Sequence, residues 1–181
     1  GEFEQAVAAM LNGRDALDRL AAAFLDAARE EFPERWTQLS PRPVILASWV
    51  GYDTDGRTDI GWQDTIRLRL RMKRLGLARL LAQARAVDDR ATAPLEARLE
   101  AALAAVDAQL AACPPAGEVA PEAAQRFALA LLEGRAAALT TPEPMLPLLD
   151  QAIAAMPDDA RKLALCTARA GLLAHGLSLA G

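Results

Sequence analysis

Residues 62–87 read WQDTIRLRLRMKRLGLARLLAQARAV, and the fold turns on whether they form a strand or a helix. Ile66, Leu68, Leu70 and Met72 alternate with Arg67, Arg69, Arg71 and Lys73, which is the period-two template of a half-buried strand. The apolar positions then continue through Leu75, Leu77, Leu80 and Leu81 without a turn signal, and Arg, Leu, Met, Lys and Gln are strong helix formers. A helix accounts for the whole stretch; a strand accounts only for its first part. On a helical wheel Ile66, Leu70, Leu77 and Leu81 share one side and Leu68, Met72 and Leu75 another. Such a helix touches neighbours on two sides, with arginine stripes between them.

Working toward the N-terminus, the next segment back is SWVGYDTDGRTDIGW, residues 48–62, which breaks an otherwise Ala- and Leu-rich chain. Asp53, Asp55, Asp59 and Asp64 fall at positions one, three, seven and twelve of a notional calcium loop. The fifth position is Arg57, the sixth is Thr58 rather than Gly, and the twelfth is an Asp too short for easy bidentate reach, so no complete ligand set exists. The residues alone read as an Asx-rich turn, with Gly56 at positive φ and with Trp49 and Trp62 as buried anchors on either side. Before it, residues 4–32 recur at helical spacing, with a weak point at Asn12 and Gly13 and with Asp15 and Arg19 able to pair one turn apart. Pro33 ends that helix, and Pro41 and Pro43 force an extended entry into the Asp-rich segment.

Toward the C-terminus, a helix is expected over 94–112 with Pro94 in its first turn, and CPPAGEVAP near 113–121 is a linker. Further helices follow from Pro121, over 146–156 and from 159 onward, with Asp158 at an N-cap and Asp159 in the first turn. The 181 residues are 52% hydrophobic but only 4% aromatic, and β-branched residues are scarce, which together describe an all-α domain. Residues 1–3 read as a cloning scar, leaving 4–181 as a single helical domain excised from a longer chain.

With 24 acidic and 20 basic residues the net charge is −4, which argues against a nucleic-acid footprint. No apolar run reaches membrane-spanning length, and there is no signal sequence, so a cytoplasmic protein is expected. Cys113 and Cys166 form no CxxC pair and lie far from the single histidine, so they read as ordinary thiols and no metal site is expected. That histidine, His175, lies on an apolar stripe beside Leu172, Leu173 and Leu179, where it reads as a core or interface residue. The run RLRLRMKR leaves two readings open. Arg67, Arg71 and Arg74, joined by Arg57, could gather a phosphate or carboxylate effector, or they could be solvated and ion-paired.

The stretch SWVGYDTDG resembles the SWxGGDRDGNP signature of the phosphoenolpyruvate carboxylase family, with Ser48, Trp49, Gly51, Asp53, Asp55 and Gly56 in register. Residues 20–36, LAAAFLDAAREEFPERW, are similar to the helix preceding that signature. GLLAHGLSLAG resembles the later FGxHLAxLDxR segment, with Gly176, Leu179 and Ala180 in step. The resemblance implies an antiparallel helical bundle like the N-terminal helical part of that family, and a site motif of Trp49, Gly51, Asp53, Asp55, Gly56 and Trp62. Tyr52 stands where the family has its second glycine, Thr54 where it has an arginine, and Arg57 and Thr58 where it has Asn-Pro. The family's HPT histidine, GRGG loop and acidic metal ligands are absent from this sequence, so no catalytic residue is assigned. The resemblance therefore implies a non-catalytic scaffold or interaction module, bound to a protein partner, to the rest of a parent chain or to itself. If the parent is an active carboxylase, making oxaloacetate from phosphoenolpyruvate and bicarbonate, its Mg or Mn lies outside this chain.

Overall fold

In the computed structural model, which describes residues 2–48 and 60–180, every regular element is helical. Six α-helices follow one another: α1 (Glu2–Glu31), α2 (Trp62–Ala86), α3 (Ala93–Ala112), α4 (Pro121–Glu133), α5 (Leu146–Ala155) and α6 (Asp159–His175). Residues 62–86 are therefore a helix, and the alternation of Ile66 to Met72 is the start of a two-sided helical pattern. α1 runs without a break through Asn12 and Gly13, the expected weak point. It also takes in Phe3, whose ring centroid lies 4.2 Å from the Arg71 guanidinium carbon. Trp49, Gly51, Asp53, Asp55, Gly56 and Arg57 lie outside the described residues.

Local chemistry sets the helix ends. At the start of α2 the Gly61 amide donates to the Asp64 carboxylate at 2.9 Å, one half of a capping box whose other half glycine cannot supply. Asp158 caps α6 by accepting from the Arg161 amide at 2.9 Å. Pro94 and Pro121 sit in first turns, where the missing N–H costs nothing. Between α2 and α3 the chain reverses within a few residues, with Asp88 at φ 51, a left-handed conformation that Asp tolerates better than most residues.

Helix directions follow from which residues pair. Arg67 reaches the carbonyls of Cys113 and Pro114, Arg74 reaches Asp107, and Arg85 reaches Glu96 and Glu100, so α2 and α3 are antiparallel. α1 and α6 are antiparallel too, since Arg29 meets Asp159 while Arg14 lies beside Gly171. α1 and α2, by contrast, run the same way: Glu4 pairs with Arg71, and Asp18 with Arg79. The long stretch between them, residues 32–61, makes that possible, and the bundle is not antiparallel throughout.

α2 is the spine. Leu70, Leu77, Leu80, Leu81 and Ala84, with Ile66 at the margin, face the main core, which they share with Leu95, Leu99 and Val106 of α3, Phe127, Leu149 of α5 and Leu165 of α6. Leu68 and Met72, with Leu75, face a second cluster containing Val7, Met10, Leu179 and Ala180. Among the described tryptophans, Trp36 is the buried one, 2% exposed in a 3₁₀ turn after α1, where it closes one end of the main core. Trp62, expected as a buried anchor, is 47% exposed and stacks on Phe127 with ring centroids 6.2 Å apart. It begins α2, at a helix end where the bundle covers only one face of the ring.

The C-terminal segment crosses α2 at Gly76. A Cβ there would lie 2.4 Å from the Leu177 carbonyl oxygen and 2.6 Å from the Ser178 carbonyl carbon, both backbone atoms that cannot rotate away. The Leu179 amide donates to the Met72 carbonyl at 3.0 Å, docking the segment onto the helix. Gly76→Ala is therefore expected to lower the urea midpoint by an amount equivalent to about 3 kcal/mol, despite the higher helix propensity of alanine. An unchanged or higher midpoint would contradict this packing.

Candidate functional site

The sequence singled out Arg67, Arg71 and Arg74, and the structure sends them to three different places. The Arg67 guanidinium donates to the carbonyls of Cys113, at 3.0 Å, and Pro114, at 2.6 Å, tying down the linker after α3. Arg71 pairs with Glu4 at 2.7 Å on α1, and Arg74 with Asp107 at 2.5 Å on α3. The bonds to Asp107 hold the Arg74 guanidinium above its ordinary pKa. These three side chains do not converge on one space that could enclose an anion. Their neighbour Lys73 donates to the Leu139 carbonyl, and burial lowers its pKa.

What the fold does assemble is a polar centre where α1, α2, α6 and the C-terminal segment meet. Arg14 is 5% exposed, and its Nη1 donates to the carbonyls of Leu179 at 2.8 Å and Ser178 at 3.3 Å. Among the described residues no carboxylate bonds it directly. Burial lowers its pKa first, Asp18 opposes that, and Arg79 adds to it. Arg79 meets Asp15 at 2.6 Å and Asp18 at 2.7 Å, and Gln83 also donates to Asp18 at 2.7 Å. Burial alone would lower the pKa of Arg79, yet its bonds to Asp18 and Asp15 hold it above the ordinary value. Asp15 thus pairs across to α2 rather than with Arg19 on its own helix.

His175 ends α6 next to this centre and is 6% exposed. Its Nε2 accepts from the Leu46 amide at 3.0 Å, so in the neutral ring Nδ1 carries the proton, 3.4 Å from the Gly171 carbonyl. Burial, and after it the Arg14 charge, lower its pKa below the ordinary value. A neutral, doubly engaged imidazole has no free nitrogen for acid or base work.

Each charged group of this centre has another side chain or a backbone carbonyl as a partner, while the Nε atoms of Arg14 and Arg79 are buried without one. The free thiols of Cys113 and Cys166 are buried, and burial raises the pKa of both. Among the described residues no group of three or more His, Cys, Asp or Glu side chains is placed to hold a metal ion, and no helix is long and apolar enough to cross a membrane. The sequence did carry a faint signal of the centre. Arg14 and Asp18 on α1, and Arg79 and Gln83 on α2, are each one turn apart and so present polar pairs on one helix face.

Removing a buried donor from one buried carbonyl and one part-buried carbonyl costs desolvation, whereas removing an exposed ion pair costs little. Arg14→Met should therefore destabilise the protein by about 2–4 kcal/mol in a denaturant titration. Arg71→Met, at a pair with Glu4 that is largely exposed, should stay within about 0.5 kcal/mol of the parent. Equal effects of the two substitutions would show that Arg14 does not anchor the C-terminal segment.

Comparison of the chain with protein-family models, with curated proteins and with solved structures finds no match in any of the three.

Proposed function

We propose that this chain is a non-catalytic helical module of a phosphoenolpyruvate carboxylase-like protein, working as a scaffold or protein-interaction domain. The observation that carries the interaction role is a set of exposed large apolar side chains. Leu20 and Phe24, one turn apart on α1, are 51% and 54% exposed, and Val44 and Ile45 on the segment after it are 50% and 62% exposed. Leu129 and Leu132 of α4 are exposed too, and large apolar side chains left open to solvent are what a protein partner would cover. The charged groups favour the same reading, because the polar centre and the arginines of α2 are spent on holding the fold together.

The carboxylase-like part of the proposal rests on the signature resemblance at residues 48–58 and on the helical architecture, and on nothing further. Under it, the chain packs against the rest of a parent protein or against a separate partner. The alternative of an effector site for a phosphate or carboxylate is less favoured, since Arg67, Arg71 and Arg74 diverge.

Two measurements test the module reading. Leu20→Ser with Phe24→Ser should leave the melting midpoint within a few degrees of the parent while reducing concentration-dependent association in sedimentation velocity. A large drop in midpoint with unchanged association would instead make these residues part of the folding core. The purified chain should make no oxaloacetate from phosphoenolpyruvate and bicarbonate with Mg or Mn, and measurable turnover would overturn the non-catalytic assignment.

A further inference from the structure

Residues 39–48 form a strap with no regular structure that lies along α1 and α6. Its Leu46 side chain reaches α1, where Gly13 leaves room for it: a Cβ on Gly13 would sit 2.9 Å from the Leu46 Cδ1. Pro41 and Pro43 have no amide hydrogen, which limits the backbone bonds available to the strap. Arg42 contributes a long bond, 3.5 Å, to the Leu173 carbonyl, and Arg169 holds the upstream end through the carbonyls of Thr37 and Leu39. Near the other end, the Leu46 amide donates to His175. Leu17 and Ala21 of α1 and Ala170 and Ala174 of α6 line the space beneath, with Pro43 and Val44 above them.

We propose that His175 is a proton-operated latch: neutral, it holds the strap through the Leu46 amide, and protonated, it releases the strap and uncovers the apolar seam between α1 and α6. The geometry makes the bond all-or-none. Leu46 presents an N–H, so Nε2 must present a lone pair, and a proton on Nε2 sets two donors against each other. The charged groups that face the ring do not rescue the bond. From α1, Arg14 disfavours the imidazolium, and Asp18 favours it but is already engaged by Arg79 and Gln83 of α2. On the strap, Arg42 lines the same space but turns its guanidinium to the Leu173 carbonyl rather than to the ring. From α6 itself only the Gly171 carbonyl bonds the ring, and that bond survives protonation.

The sign follows from linkage. With its folded pKa below its unfolded value, His175 binds fewer protons in the native state. The stability it contributes is complete above the ordinary value of 6.5 and is lost as pH falls through the folded pKa. The latch adds that this loss is local before it is global.

The experiment is a pH titration of ¹⁵N-labelled protein by NMR from pH 8 to 4.5, following the His175 ring nitrogens and the amides of Leu46 and of Leu99 in α3. At neutral pH the ring should show the Nδ1–H tautomer. Its midpoint should be matched by the Leu46 amide, whose exchange protection, corrected for intrinsic rate, should fall roughly tenfold or more while that of Leu99 persists. His175→Phe should show the unprotected Leu46 amide already at pH 7.5, and should remove the pH response of the strap; if that variant does not fold, the wild-type titration decides alone. A Leu46 amide indifferent to the ring's titration would overturn the latch. So would loss of Leu99 protection at the same midpoint, which would mean global acid unfolding.

Discussion

Segments between helices carry carbonyl oxygens that no helical ladder can satisfy, and in this protein cationic side chains from neighbouring helices satisfy them. Arg14 takes the carbonyls of Ser178 and Leu179, Arg67 those of Cys113 and Pro114, and Arg98 those of Ala136 and Ala137. Lys73 takes Leu139, and Arg169 takes Thr37 and Leu39. A guanidinium suits this task because it offers several donors in a fixed plane and can bridge two successive carbonyls. The remaining structure depends on these contacts: a helical chain this rich in alanine has few large side chains with which to clamp its connectors.

The same interaction accounts for the position of the C-terminal segment. Arg14 fixes it from α1, the Met72 carbonyl receives the Leu179 amide from α2, and Gly76 permits the close approach. Leu179 and Ala180 then complete the second apolar cluster with Val7, Met10, Leu68 and Met72. Because α1 and α2 run in the same direction and meet largely through side chains, this segment is the filler that joins them. α2 is consequently covered on two sides, by the main core and by the smaller cluster.

A buried cation without a carboxylate partner is costly, and its retention calls for a reason. For Arg14 the reason is the buried Leu179 carbonyl and the part-buried Ser178 carbonyl that it donates to, with Asp18 close enough to moderate the charge. His175 plays the complementary part as a neutral acceptor for a backbone amide. Together they make a centre whose polar groups specify one arrangement of α1, α6, the strap and the C-terminal segment. Outside that centre, Leu20 and Phe24 of α1 and Val44 and Ile45 of the strap are left exposed.

The helices themselves were legible in the sequence, because periodicity, capping and proline placement are local. Residues 62–86 declared both of their apolar faces, Pro94 and Pro121 marked two helix starts, and Asp158 marked a cap. The candidate site was not legible in the same way. Arg67, Arg71 and Arg74 share a basic run, yet whether a guanidinium meets an acid, a carbonyl or solvent depends on which segment passes it, and those partners lie tens of residues away in the chain. The same limit applied to the tryptophans, where Trp36 is enclosed by the core and Trp62 is left half open at the start of α2. By itself the sequence determined where the chain is helical and which stripes are apolar, since a helix is closed by hydrogen bonds four residues apart. Only the tertiary structure decided that Gly76 is a crossing point, that Arg14 is an anchor and that His175 holds Leu46, since each of these needs two segments brought together that the chain order keeps far apart.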